Sequence, residues 1–289
     1  MPSYEATAKK STTSSDGRLP AIYLPHGGGP WHLPGGDSMD LPGYAALRSW
    51  IGTLAAYRDA GMRAILMISA HWEASVPTVH AGAAPGLLYD YYGFPQSAYR
   101  LSWPAPGEPG VAAEAAALLG AAGFEVGREL ERGFDHGAFV PLMIAFPKPT
   151  SPSRNSRSWP ASTRRSWPSR RSARRVRGAA RARERGVLIV GSGMSYHNLR
   201  GFFSGGPAVA RDSAAFDAWL GEAAALPDPE ARGEALSRWR EAPAALSCHP
   251  RSEHLAPLFV AAGAGGADPG VREFGGTLMG ATVSGFRFG

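Results

Sequence analysis

Arg63-Ala64-Ile65-Leu66-Met67-Ile68-Ser69, followed at once by Ala70-His71, decides how the rest of the chain is read. Every position from Ala64 to Met67 and on to Ile68 is apolar, so both faces of the segment must be covered. Its length is that of a strand, and such a strand belongs inside a sheet flanked by helices. Gly186-Val187-Leu188-Ile189-Val190-Gly191 repeats the pattern and ends at Ser192-Gly193. A shorter strand within 18–25, carrying Leu19, Ile22, Tyr23 and Leu24, runs into a Gly-rich turn. Helical stretches fall between these runs, at 44–60, 111–123 and 208–225. The second ends at Gly123, before a short extended Phe124-Glu125-Val126. Strands alternating with helices predict an α/β domain, a three-layer α/β/α sandwich around a mostly parallel or mixed sheet. No internal repeat is visible.

The chain has 289 residues, long enough to bury one large core, and residues 19–289 read as a single domain. No run approaches the roughly 18 apolar residues that a membrane span needs. Residues 1–18 are rich in Ser and Thr without an apolar centre, and read as a disordered leader rather than a secretory signal. The single Cys248 excludes an intramolecular disulfide and points to a reducing, cytoplasmic setting. It also excludes Cys₂His₂ and Cys₄ zinc sites, so any metal must be held by His and carboxylate.

The net charge of +6 suggests nucleic acid until its distribution is examined. Residues 148–185 carry 13 Lys+Arg against one acid, Glu184, leaving 17 basic and 23 acidic residues elsewhere, a net of −6. The basicity belongs to one segment and not to a folded face, which argues against a nucleic-acid partner.

Histidine carries the chemistry. Eight occur in the chain, and five fall in segments that contain Gly, Ser or Pro at expected strand ends, where an α/β fold collects its functional groups. They lie in Pro25-His26-Gly27-Gly28-Gly29-Pro30, Ser69-Ala70-His71-Trp72-Glu73, Gly133-Phe134-Asp135-His136-Gly137, Ser195-Tyr196-His197-Asn198-Leu199 and Ser252-Glu253-His254-Leu255. Neutral imidazole is the commonest metal ligand, so this distribution favours one shared metal-centred pocket. His32, His80 and His249 lie outside these segments and read as turn or core histidines. Glu73 reads equally as a surface carboxylate or as an outer partner of a ligand. Gly27 to Gly29 are no phosphate cradle, since no Lys-Ser/Thr follows.

Taken in order, PHGGGP, SAHWE, YDYYGFP, YRLSWPAPGEPG, RGFDHGAFVPL, GSGMSYHNL and SEHLAPLFVAAGA resemble the class III extradiol ring-cleaving dioxygenases. The resemblance is to the DOPA-dioxygenase-like branch of the LigB superfamily and runs from about residue 20 to residue 288. It implies a metal-dependent enzyme, with one Fe(II) or Zn(II) per chain, that opens the ring of a small DOPA-like or related catechol using O₂. Three protein ligands would leave positions for both phenolic oxygens and for O₂, as in other non-haem iron oxygenases. The resemblance places His26 and His71 in the metal shell and takes the third ligand from the Glu253-His254 pair, His254 being favoured and Glu253 the alternative. His197 falls at the position of the catalytic base, close enough to contact a resting zinc as well. His136 matches the pocket histidine that positions substrate and stabilises charge on oxygen. Tyr91, Tyr92 and Phe94 would form an aromatic substrate-binding wall. Two other readings stand beside this one: a zinc-dependent hydrolase, and a non-catalytic interaction protein like the Memo proteins.

One window departs from the family pattern. Residues 148–183, KPTSPSRNSRSWPASTRRSWPSRRSARRVRGAARAR, show no apolar periodicity of either kind. Relatives carry a strand of the type DIPVVQLSL here. GC-rich codons for residues 149–159, read one base earlier, can encode DIPVAQLSLV, which makes the window a candidate frameshifted stretch between two compensating indels. The alternative is an authentic basic insert. Read literally, the window is expected to be poorly packed and to supply no central strand.

Overall fold

The computed structural model of the protein describes residues 17–33, 42–148, 157–164 and 180–289. Among the described residues eight strands form one mixed sheet: β1 (Ala21–Pro25), β2 (Ala64–Ala74), β3 (Thr78–His80), β4 (Gly127–Glu129), β5 (Arg157–Arg164), β6 (Val187–Gly193), β7 (Gly270–Leu278) and β8 (Ala281–Phe288). Their order across the sheet is β4-β3-β5-β2-β6-β1-β8-β7. The central strands β5, β2, β6 and β1 are mutually parallel. β8 joins β1 antiparallel and β7 closes that edge as a hairpin. The two apolar runs that point to an α/β fold therefore lie side by side as β2 and β6, buried on both faces.

Nine α-helices occur among the described residues: α1 (Pro42–Gly52), α2 (Pro109–Ala121), α3 (His136–Ala145), α4 (Ala180–Glu184), α5 (Leu199–Ser204), α6 (Pro207–Ala225), α7 (Pro229–Ser237), α8 (Ala245–Cys248) and α9 (Ala256–Gly265). They lie on both sides of the sheet, as a three-layer α/β/α arrangement requires. The expected first helix, at 44–60, is split: α1 passes at Thr53–Arg58 into a 3₁₀ turn. α3 (HGAFVPLMIA) and α9 (APLFVAAGAG) are apolar all round, so each is a core helix. α9 packs on β6, β1 and β2, and α3 packs on β2 and β6. Both begin beside the histidine segments, so their tight packing also fixes the site.

The expectation that 148–183 supplies no central strand is corrected. β5 runs parallel to β2, with Ala64 opposite Arg157 and Ser69 opposite Ser162, and meets β3 at Val79. Strand formation needs backbone donors and acceptors, and β2 and β3 leave a gap in the sheet whose unpaired edges would be costly. Pairing, not side-chain pattern, places the strand. The end of the same window is also built into the core. Arg183, on α4, is fully buried and donates to the carbonyls of Leu19 (2.6 Å), Ala264 (2.9 Å), Gly265 (3.0 Å) and Phe288 (3.2 Å) and to Asp268 (2.9 Å). One guanidinium thus ties the entry to β1, the end of α9 and the end of β8. Arg183→Ala would strand those acceptors, and we expect it to cost about 3–5 kcal/mol, read as a lower urea midpoint. The leader falls almost wholly on residues 1–16, outside the described residues.

Candidate metal centre

The parallel strands deliver their C-terminal ends to one place. β1 stops at Pro25, and the N–H of the next residue, His26, donates to the carbonyl of Gly193 at the end of β6 (3.0 Å). Gly27 holds φ at +75°, and a Cβ there would strike the Trp31 indole, whose Nε1 donates to the His26 carbonyl (2.6 Å). The Gly-rich turn is thus a clamp on His26. In β2 the register with β5 passes from Ser69 directly to Glu73, so Ala70, His71 and Trp72 have no opposing residues. A bulge of this kind re-aims side chains, here that of His71. His254 lies just before α9, and its carbonyl accepts from the Tyr23 hydroxyl (2.9 Å) and the Met194 N–H (3.1 Å). Gly193 has no Cβ that would collide with that carbonyl.

The three histidines converge. His71 Nε2 lies 3.1 Å from His26 Nε2 and 3.3 Å from His254 Nε2. Each ring's outer nitrogen has a different partner: His26 Nδ1 lies 3.0 Å from Ser192 Oγ, His71 Nδ1 3.4 Å from Asp90 Oδ2, and His254 Nδ1 3.1 Å from Glu253 Oε1. The inner nitrogens face each other. Ligands about 2.1 Å from one ion are separated by about 3.0 Å at a right angle and about 3.4 Å at a tetrahedral angle. The observed spacings fall within that interval, so the donor set fits a single divalent ion. Burial, followed by the charges of the neighbouring histidines, holds His26 and His254 well below the ordinary histidine value, and His71 is pushed down to about 3 chiefly by burial. All three are therefore neutral near pH 7, the form that binds metal.

Two further histidines stand against this trio. The His136 ring lies 4.0 Å from that of His71 and 5.4 Å from that of His26 between centroids. His197 stacks face to face on His254, centroids 3.3 Å apart, and its N–H donates to the Cys248 carbonyl (3.0 Å). His197 and Glu253 fall outside the three-histidine group and form a second group with His254. Tyr91 is buried with its ring 6.0 Å from His136, and Phe94 packs on Tyr91 and against Gly29. Tyr92 is 90% exposed. Glu73 pairs with Arg251, which in turn lies 3.5 Å from Glu253. His32, His80 and His249 are buried and belong to neither of these groups.

Supporting residues whose roles the histidine motifs do not reveal complete the site. Asp135 caps α3, accepting from the Ala138 N–H (3.1 Å), and also accepts from Ser69 Oγ (2.5 Å) and Arg132 (3.2 Å). Ser192 links His26 to the Gly137 carbonyl. Asp90 contacts both His71 and His136. Burial pushes Asp90 up, but the hydrogen bond and charge of His136 outweigh it, and the net direction is down. Asp90 sits inside YDYYGFP, where the aromatic residues draw the eye. An acid among tyrosines beside a histidine-rich pocket was the available signal.

Burial also sets an acid limit on stability. His249 and His32 are both held to about 4, burial being the largest cause in each. In the unfolded chain a histidine titrates near 6.5, so the unfolded state binds more protons between about pH 6.5 and 4. Stability is therefore full above about 6.5 and falls with pH below it, by about 1.4 kcal/mol per pH unit for each such histidine. The metal-free site histidines act in the same direction. Urea unfolding of the metal-free protein across this range should show the fall; a flat profile would contradict the burial.

Comparison with known proteins shows which family the chain falls in. The family described as the catalytic LigB subunit of aromatic ring-opening dioxygenase matches residues 20–285. The dioxygenase tasH of Hapsidospora irregularis is 35% identical over 94% of this chain and 86% of its own. The 4,5-DOPA dioxygenase extradiol of Beta vulgaris is 34% identical over 78% of this chain and 80% of its own. Among solved structures, the uncharacterized protein JW3007 of Escherichia coli K12 superposes with a TM-score of 0.72 at 25% identity, covering 94% of this chain and all of that one.

Proposed function

The chain belongs to the family of catalytic LigB subunits of aromatic ring-opening dioxygenases, and from that premise we propose that it opens the ring of a small, DOPA-like catechol at a centre held by His26, His71 and His254. It is a metal-dependent extradiol dioxygenase. The observation that carries the site assignment is the convergence of three neutral Nε2 atoms at 3.1 and 3.3 Å, each ring braced from behind. We take the metal to be one Fe(II) or Zn(II) per chain. When bound, it supplies positions for both catechol oxygens and for O₂ and stabilises the negative charge of the deprotonated diol.

The chain's own groups do the rest. His197, stacked on His254, accepts the second catechol proton as the diol is taken up. His136, against His71 and His26, positions the ring and, once its Nε2 has taken up a proton, stabilises developing negative charge on oxygen. Phe94, over the turn that follows His26, supplies an apolar wall, and Tyr92 reaches the substrate from the rim. Tyr91, buried beside His136, holds that wall in place. The names of the Beta vulgaris and Portulaca grandiflora relatives carry DOPA, which supports a small catechol as substrate class. A cytoplasmic setting rests on the single cysteine. No helix among the described residues is long and apolar enough to cross a membrane.

Oxygen uptake by protein loaded anaerobically with Fe(II), against a panel of catechols including DOPA, tests this reading. One O₂ consumed per ring opened, with a yellow semialdehyde product, is expected. Iron-loaded protein that binds catechols without consuming O₂ would overturn it in favour of a hydrolase or a binding protein.

A further inference from the structure

The histidines that surround the centre are arranged as two pairs, and each pair is spanned by one carboxylate. On one side His71 and His136 lie with ring centroids 4.0 Å apart. Asp90 Oδ1 is 2.9 Å from His136 Nδ1 and also accepts the His136 backbone N–H at 2.9 Å, while Oδ2 is 3.4 Å from His71 Nδ1. On the other side His254 and His197 stack at 3.3 Å. Glu253 Oε1 is 3.1 Å from His254 Nδ1 and 3.5 Å from His197 Nδ1. In each pair one ring belongs to the proposed metal shell and the other to the proposed catalytic groups.

We propose that Asp90 and Glu253 are paired positioning residues, each fixing the tautomer of one metal-facing and one substrate-facing histidine together. An ionised carboxylate only accepts hydrogen bonds, so an imidazole nitrogen held against it must carry the proton. Turning Nδ1 of both rings to one carboxylate favours Nδ1–H on both. Neutral imidazole has one proton, so Nε2 of both is then bare. For His71 and His254 a bare Nε2 is the ligating atom; for His136 and His197 it is the atom that accepts a proton or a hydrogen bond. A backbone carbonyl could impose this on one ring, but a carboxylate serves two: Asp90 turns a separate oxygen to each ring, and Glu253 turns Oε1 to both. Ligand geometry and proton acceptance are thereby coupled, and disturbing either carboxylate disturbs one member of each kind. The Glu253 carboxylate thus sits behind the Nδ1 atoms of its pair, on the far side of His254 from the metal-facing Nε2.

The proposal rests on the assignment of His26, His71 and His254 as ligands, and its test keeps the two apart. Zn(II) titration of the metal-free protein checks the ligands: the wild type should bind one equivalent and His26→Ala should not. If the wild type binds no metal, the site assignment itself fails. Asp90→Asn and Glu253→Gln check the pairing. In each, an amide N–H₂ can replace one accepting oxygen and favour a bare Nδ1, which protonates Nε2. Loss of an outer carboxylate partner costs about 10–100-fold in metal affinity, and that is the expected loss for each variant.

The decisive readout is the side-chain tautomer, from long-range ¹H–¹⁵N correlation on zinc-loaded protein at mildly alkaline pH. Wild-type His136 and His197 should both be Nδ1–H. Asp90→Asn should change His136 and leave His197, and Glu253→Gln should do the reverse; a merely structural role would not produce that division. Should a variant fail to fold, the wild-type spectrum still decides. Wild-type His136 and His197 protonated on Nε2, or variants with unchanged zinc affinity and tautomers, would overturn the proposal.

Discussion

Replacing His71 by alanine is expected to abolish stoichiometric metal binding and, with it, all ring-opening activity. His71 is the middle member of the trio, its Nε2 3.1 Å from that of His26 and 3.3 Å from that of His254. Its neighbours face elsewhere: Asp90 lies behind the ring, on Nδ1, and His136 turns its own Nδ1 to the same carboxylate. The loss should exceed the 10–100-fold that removal of an outer partner costs. The fold should survive, because β2 is held by its backbone pairing with β5 and β6 and the His71 ring is partly exposed. Metal content after dialysis, measured beside a melting curve, separates the two effects. A variant that keeps a full equivalent of metal would remove His71 from the shell.

His197→Ala is expected to do the opposite: keep the metal and lose the chemistry. The His197 ring stacks on His254 but stays outside the three-histidine group, so its removal leaves all three Nε2 donors in place. What goes is a positioned proton acceptor, worth roughly 10²- to 10⁴-fold in turnover. The fall should appear in kcat at unchanged metal content, measured by oxygen electrode with saturating catechol. Retention of turnover within a few-fold would assign the base elsewhere, with His136 the next group to test.

Much of this could be read from residues alone, for identifiable reasons. β2 and β6 announce themselves because a strand covered on both faces must be apolar throughout. The site histidines are conspicuous because they follow such strands or precede the core helices α3 and α9. What the chain concealed were features set by partners distant in sequence. Arg183 looks like one more basic residue in a basic run, yet it binds carbonyls of α9, of β8 and of Leu19 ahead of β1. The bulge that aims His71 exists only in the pairing of β2 with β5. Asp90 acquires its role from a histidine 46 positions away. β5 was invisible because its sequence carries no strand pattern and its neighbours supply the pairing. We propose that its composition reflects a frameshifted stretch; resequencing the gene tests this, an uninterrupted frame at 148–183 being the contrary result.

The account stands on one ion being held by His26, His71 and His254, and the most direct test is an anomalous difference map of zinc-loaded crystals collected at the zinc edge. The account predicts a single peak per chain among the three Nε2 atoms, with Zn–N distances of about 2.0–2.1 Å, and Asp90 and Glu253 behind the rings on Nδ1. A peak ligated by the Glu253 carboxylate in place of His254, or zinc bound away from His26 and His71, would contradict it.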